Sequence, residues 1–164
     1  MARRVFFSFH YKNDVWRAMQ VRNSWVIKDD RKASGFIDAA AFEELKKKGD
    51  DSIKRWIRDQ IVGTSVTVVL IGKDTNNRDY IKYELEKSWE KGNGILGIYV
   101  HTLKDKDGYT SEKGDNSFGP IFTSYKDEKK YFFERFKTYN WKTDDGYNNI
   151  GKWIEEAYNN RPSR

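Results

Sequence analysis

The sequence has no cysteine among its 164 residues, and no apolar run approaches the roughly 18 residues of a membrane-spanning helix. Without cysteine the chain can form neither a disulfide framework nor a reactive thiolate, which fits a reducing compartment. The first four residues carry no apolar signal region and lead directly into a predicted strand. We therefore expect a cytoplasmic protein without a membrane segment.

Several sequence motifs of enzymes are also absent. No Walker A pattern occurs, and no serine lies in a nucleophile elbow. A phosphorelay receiver needs an acidic pair after its first strand, where this chain has Ser8, Phe9 and His10. The two histidines, His10 and His101, are far apart in the sequence, so capping or loop hydrogen bonds suit them better than a metal.

The residues from Gly92 to Gly97 match the glycine pattern of dinucleotide-binding folds. That pattern must leave a strand and open a helix, so that the helix amides meet the pyrophosphate. Here it leaves a predicted helix and enters a predicted strand. We interpret it as a helix C-cap followed by a strand that contains glycine.

Aromatic side chains are abundant, with 10 Phe, 10 Tyr and 6 Trp. They bury large areas, so we expect one folded domain over residues 1–164 although hydrophobic residues make up only 37% of the chain. The net charge of +6 favours anionic ligands, but the lysines are scattered among acids instead of clustering. Composition therefore gives nucleic-acid binding only weak support.

Apolar runs and helical periodicity alternate along the chain. The predicted strands are residues 5–9, 35–38, 66–71, 95–100 and a stretch that ends at 139–141. The predicted helices open at Asn13 or Asp14, at Asp50 or Ser52, at Thr75, and at Asp144 or Asp145. This alternation predicts an α/β fold with a parallel sheet. The stretch between residue 38 and Asp50 is predicted as a loop with a basic segment, and residues 102–130 as a variable loop or lid.

The predicted helix 75–91 is the stretch most indicative of function. Its apolar stripe should face the sheet, with Glu84 at one edge and Glu86 at the other, so periodicity does not choose between them. Lys82 lies one turn before Glu86, which is typical of a surface pair, whereas Glu84 has Tyr80 before it and the small Ser88 after it. Glu84 is therefore the candidate site acid, although on spacing alone a rim glutamate without a role is the more frequent case.

Ligands of parallel α/β sheets bind beyond the carboxyl ends of the strands, where the chain order reverses. In this sequence those ends are residues 9–11, 38–39, 72–74 and 101. The start of the helix that carries Glu84 belongs to the same edge. The sequence thus predicts a binding site there.

Several of these segments together resemble a known family. The opening strand with its following His10, Asp38 after the second strand, and residues 64–72 and 77–85 look like a TIR-like domain. The chain is similar to the TIR-like proteins of bacterial Thoeris anti-phage defence systems, which end as residues 139–147 do here. This resemblance covers nearly the whole chain except residues 102–130. It implies a flavodoxin-like (TIR-like) five-stranded parallel sheet with helices on both faces.

The resemblance also implies an activity, cleavage of the bond between nicotinamide and ribose in NAD. NAD would be the substrate, with no further cofactor and no metal. In many TIR enzymes the essential glutamate lies four residues past an aromatic residue on the helix after the third strand, and Glu84 after Tyr80 matches that spacing. Glu84 would then be catalytic, while Phe9, His10, Asp38 and Tyr80 would bind the substrate. The product would be a cyclic ADP-ribose isomer or a related ADP-ribose signal.

The partners implied by this resemblance are a homo-oligomer through TIR–TIR contacts, a downstream effector that responds to the signal, and a phage-derived trigger. Two other functions compete with the enzyme. One is a non-catalytic TIR-like adaptor that acts through protein–protein contacts. The other is a basic nucleic-acid-binding domain, which is disfavoured because most of the aromatic residues should lie in the core.

Overall fold

The computed structural model describes residues 3–27, 31–33, 39–75, 80–114, 122–125, 128–131 and 136–161. Its strands are β1 (Arg3–Ser8), β2 (Arg31–Ala33), β3 (Val66–Ile71), β4 (Gly94–Tyr99), β5 (Phe122–Tyr125), β6 (Glu128–Tyr131) and β7 (Thr138–Asn140). Its helices are α1 (Tyr11–Val26), α2 (Ala39–Lys48), α3 (Asp50–Ile61), α4 (Ile81–Lys91) and α5 (Gly146–Asn159). The predicted α/β class is confirmed.

Five strands form one parallel sheet in the order β2-β1-β3-β4-β7. From β1 the chain moves outward to β2 and then crosses back to β3 on the other side of β1, and all four neighbouring pairs are parallel. The chain order therefore reverses between β1 and β3. In a sheet of this kind, that boundary leaves a crevice at the carboxyl edge.

Helices cover both faces of the sheet, and the alternation of side chains along β1 shows how. Val5 and Phe7 are buried in one cluster with residues of α1 and α5, whereas Phe6 is buried in another with residues of α3. Helix α4 covers the same face as α3 through Leu85 and Trp89. Every residue of β3 is buried, as expected for a strand packed on both sides.

The segment between α1 and α3 differs from the sequence prediction in two respects. The structure has a second strand at Arg31–Ala33, which was not predicted, while the predicted strand at 35–38 lies outside the described residues. β2 is an edge strand three residues long that pairs with β1 through its backbone, so it needs no apolar pattern. The predicted loop with a basic segment was wrong, because this stretch is mostly helix α2, whose Ala, Glu, Leu and Lys residues are strong helix formers. Its three lysines fall in the last turn, where positive charge is favourable.

Helix α4 ends as predicted, because Gly92 is its C-cap with a φ of 89° in the left-handed region, which favours glycine. The chain then enters β4 at Gly94, so the glycine pattern belongs to a helix end and a strand. Residues 76–79 lie outside the described part of the chain. Within the described ranges, no helix is both long enough and apolar enough to cross a membrane.

The region after β4 contains more structure than the predicted loop. β5 and β6 form an antiparallel pair within and just beyond residues 102–130. The fifth strand of the sheet is β7, within the predicted stretch, and α5 follows with Asp145 as its N-cap. The role of residues 102–130 as a lid and the assignment of residues 1–164 to one domain stay predictions.

Candidate active site at the carboxyl edge of the sheet

Glu84 is fully buried, with 0% of its surface exposed. It lies in the first turn of α4, where the helix dipole favours a negative charge. The Ser8 hydroxyl donates a hydrogen bond to Glu84 Oε2. Because burying an unbonded carboxylate costs several kcal/mol, this bond from the strand to the helix contributes to holding the acid in place.

Ser8 brings the acid to the boundary where the chain order reverses. It is the last residue of β1, and its register partner is Val69 of β3. Side chains alternate along a strand, so Ser8 points to the same face as Phe6, toward α3 and α4. Sequence reasoning did not select Ser8 as a site residue. The available signal was a small polar residue at the end of an apolar strand, directly before the predicted binding edge.

Glu86 behaves as the predicted surface acid. Its side chain is 44% exposed, and its carboxylate lies 3.9 Å from Lys82 Nζ one turn earlier. The structure therefore separates the two acids that helical periodicity left equivalent. Ser88, the small residue one turn after Glu84, has its hydroxyl 2.7 Å from Thr67 Oγ1 in the buried core.

Tyr80 lies directly before α4, and its carbonyl accepts the Glu84 amide at 2.9 Å. Its half-buried ring packs against the apolar cluster of β1 and α3, and its hydroxyl donates to Asp50 Oδ1 at 2.6 Å. This bond, followed by the bond from Lys54, lowers the pKa of Asp50. The Tyr80 hydroxyl is therefore directed to the start of α3, and the predicted substrate contact of Tyr80 stays a prediction.

The other predicted substrate-binding residues are not all gathered around Glu84. Phe9 is 1% exposed and belongs to the cluster on the α1 and α5 face, the opposite face from Glu84. His10 is half-buried, and its carbonyl accepts the Asp14 amide at 2.8 Å at the start of α1. Asp38 lies outside the described residues. Their roles in substrate binding stay predictions.

A second buried acid lies on the α1 side of this edge. The predicted cap residue Asp14 lies inside α1, which begins at Tyr11, and only 1% of its surface is exposed. Arg17 Nη1 donates to Asp14 Oδ1 at 3.0 Å, and Arg17 is itself 4% exposed. Burial raises the pKa of Asp14, and Arg17 opposes this shift. Sequence reasoning missed this pair, although an acid three residues before an arginine was a readable signal.

His101 follows β4 at the same edge. Burial lowers its pKa, and the nearby positive charges of Lys113 and Arg17 lower it further. Among the residues that the structure describes, no group of three or more His, Cys, Asp or Glu side chains could hold a metal ion.

These features define a parallel α/β domain with a buried carboxylate that accepts a hydrogen bond from a serine hydroxyl. The carboxylate lies at the carboxyl edge of the sheet, where ligands of such sheets bind. Residues 6–105 match the family model "Thoeris protein ThsB, TIR-like domain". A curated relative, "Putative cyclic ADP-D-ribose synthase ThsB1" of Bacillus cereus (strain MSX-D12), is 37% identical over 191 aligned positions that cover 94% of this chain and 100% of the relative. The chain belongs to the TIR-like ThsB family of Thoeris systems.

Proposed function

We propose that this protein consumes NAD, cleaves its nicotinamide–ribose bond and makes a cyclic ADP-ribose isomer or a related ADP-ribose signal in anti-phage defence. The name of the relative supports the reaction class. The observation that locates the proposed site is the buried Glu84. Its carboxylate accepts the Ser8 hydroxyl next to the boundary where the chain order reverses. NAD is the substrate, and the proposed chemistry needs no separate cofactor.

The reaction suits a single positioned carboxylate. Nicotinamide departs as a neutral base with the electrons of the broken C–N bond, which leaves an oxocarbenium-like ribosyl centre. A fixed negative charge beside that centre stabilises the charge that develops in the transition state. In this proposal, Glu84 supplies that charge and binds the ribose hydroxyls. Ser8 fixes the orientation of the carboxylate through its bond to Oε2.

The group that attacks the ribosyl carbon determines the product. Water gives ADP-ribose and releases one proton. A hydroxyl or ring nitrogen of the same molecule instead forms the new bond, which gives a cyclic isomer and also releases one proton.

The finer parts of the proposal follow the family. The sheet order supports a flavodoxin-like fold of the TIR type. Tyr80 and His10 flank the edge and would contact the substrate, with Phe9 and Asp38 as further contacts. The protein would act in the cytoplasm as a homo-oligomer whose neighbouring subunits complete the site. A phage-derived trigger would activate it, and a separate effector would respond to the product.

The test follows nicotinamide release from NAD by concentrated protein, with and without lysate of infected cells, and analyses the product by mass spectrometry. We expect Glu84→Gln to lower release about 10²–10³-fold, the scale of removing one electrostatic contact to a transition state. Glutamine keeps the shape of the side chain and can still accept the Ser8 hydroxyl, so the fold should persist. Equal release by this variant would contradict the assignment of Glu84.

Glu86→Gln is the matched control, because it makes the same change on the same helix at a surface acid paired with Lys82. We expect its release rate to equal that of the unmodified protein. The absence of release under every condition would overturn the enzymatic function and favour the adaptor.

A further inference from the structure

The loop that follows β4 has a defined shape at the carboxyl edge of the sheet. We call residues 101–114 the rim loop. Asp105 Oδ1 accepts the amides of Asp107 at 2.9 Å and Tyr109 at 3.0 Å, and the Ser111 amide donates to the His101 carbonyl at 2.9 Å. These bonds to the backbone also lower the pKa of Asp105.

Arg17 ties the rim loop to helix α1. Its Nε donates to the Leu103 carbonyl at 2.8 Å and its Nη2 to the Tyr109 carbonyl at 2.9 Å. These two carbonyls lie on opposite sides of the turn formed around Asp105, so the guanidinium bridges the base of that turn. Gln20 adds an exposed bond, from its Nε2 to the Lys104 carbonyl at 2.8 Å.

Asp14 links this tie to the end of β3. One carboxylate oxygen accepts Arg17 Nη1, and the carboxylate also packs so closely on Gly72 that a methyl group there would overlap it. A methyl group at Gly114, at the far end of the rim loop, would likewise overlap the Gly72 carbonyl. Gly72 directly follows β3, so the rim loop and the Asp14–Arg17 pair meet at the carboxyl edge, next to the boundary between β1 and β3 where the chain order reverses.

We propose that Arg17 is a positioning residue for the NAD site: with Asp14 it holds the rim loop against the end of β3, and the loop forms the α1-side wall of the crevice opposite Glu84. This inference rests on the proposed function. The planar guanidinium serves three acceptors in different directions, so it acts through geometry as well as charge. Lysine keeps the charge but has no fork that can reach both carbonyls and Asp14.

The first measurement tests the tie itself by limited trypsin digestion. Lys104, Lys106 and Lys113 are exposed in the rim loop, but cleavage there requires the local backbone to open. We expect Arg17→Gln and Arg17→Lys to speed cleavage after these lysines about tenfold, while cleavage after the lysines of α2 is unchanged. Arg55→Gln, an exposed position on α3, is the matched control and should behave as the unmodified protein.

The second measurement asks whether the tie serves NAD. Calorimetry in a Glu84→Gln background, which can bind NAD without cleaving it, compares the protein that keeps Arg17 with the protein that also carries Arg17→Lys. We expect the substitution to weaken binding about tenfold, and in active protein to raise KM about tenfold with kcat nearly unchanged, because it removes binding that ground and transition states share. A purely structural role would lower the amount of folded protein without this split between KM and kcat.

The outcomes separate the two proposals. If the unmodified protein releases no nicotinamide under any condition and binds no NAD, the proposed function fails, and the NAD role of Arg17 fails with it. If the Glu84→Gln protein binds NAD equally well with and without Arg17, only the positioning role is overturned. Unchanged cleavage of the rim loop would likewise overturn the tie. If Arg17→Gln does not fold, Arg17→Lys and Asp14→Asn supply the same comparisons.

Discussion

The two ends of the layer formed by β3 and α4 bury different kinds of polar side chain. At the amino end of β3, the buried groups are neutral and bond to one another. Asn93 Nδ2 donates to Thr64 Oγ1 at 2.9 Å and to Thr67 Oγ1 at 3.2 Å, and Thr67 in turn meets Ser88. At the carboxyl end, the buried polar groups include the acid Glu84, which accepts the Ser8 hydroxyl.

This difference distinguishes structural polar groups from groups suited to chemistry. The neutral cluster makes its hydrogen bonds within itself, to the Ile61 carbonyl and from Lys91 Nζ, so it stabilises the junction of α4 with β4 without a ligand. Burying an acid costs more desolvation free energy than burying a neutral polar group. Buried acids are therefore found most often where their charge serves a function. Ser88 and Glu84 are one helical turn apart, so a single turn of α4 separates the two roles.

The largest expected effect within this comparison is Asn93→Ala. It leaves the hydroxyls of Thr64 and Thr67 without their buried donor, and we expect the free energy of unfolding to fall by about 2–3 kcal/mol. Urea unfolding measures the change. Nicotinamide release per folded molecule should be unchanged, and a specific loss of release would break the distinction between the two ends.

A smaller effect is expected for Ser8→Ala at the carboxyl end. Loss of the hydroxyl leaves Glu84 in place but less firmly oriented, and we expect nicotinamide release to fall about tenfold, equivalent to about 1.4 kcal/mol. Initial rates at saturating NAD provide the measurement. Ser88→Ala is the matched control, since it removes a buried hydroxyl from the neutral cluster. An equal fall in release for both variants would argue against a specific role for Ser8.

The smallest effect is expected for Tyr80→Phe. It removes the hydroxyl bonded to the exposed Asp50 but keeps the ring beside α3, so release should stay near that of the unmodified protein. The pKa of Asp50 should rise toward its ordinary value, because the Tyr80 bond is the first cause of its lowering. A carboxylate titration by NMR checks this shift. A large loss of release would instead show that the hydroxyl, and not the ring, serves the reaction.

The parts of the fold in which apolar residues follow a helical or strand periodicity could be predicted from the sequence. The bounds of β3 were predicted, as were the end of α4 at Gly92 and the assignment of Glu86 to the surface, because these depend on burial patterns and local charge spacing. The sequence of the edge strand β2, Arg31–Ala33, has no apolar run to detect. Helix α2 was missed because its lysines were interpreted as a basic loop.

The contacts of the candidate site were harder to predict. Ser8 and Glu84 are 76 residues apart in sequence, and Arg17 and Tyr109 are 92 apart. No period relates such pairs, so they emerge only when the sheet order brings the elements together. The choice of Glu84 depended on its neighbours along the helix and on the family resemblance.

Both edge strands of the main sheet are short, since β2 and β7 have three residues each. Short edge strands expose few backbone amides and carbonyls to a strand from another molecule. We therefore expect copies of this protein to join through side chains of helices and loops and not by extending one sheet into the next. Contacts of this kind can form and dissociate without disturbing the backbone pairing that keeps Ser8 in register with β3.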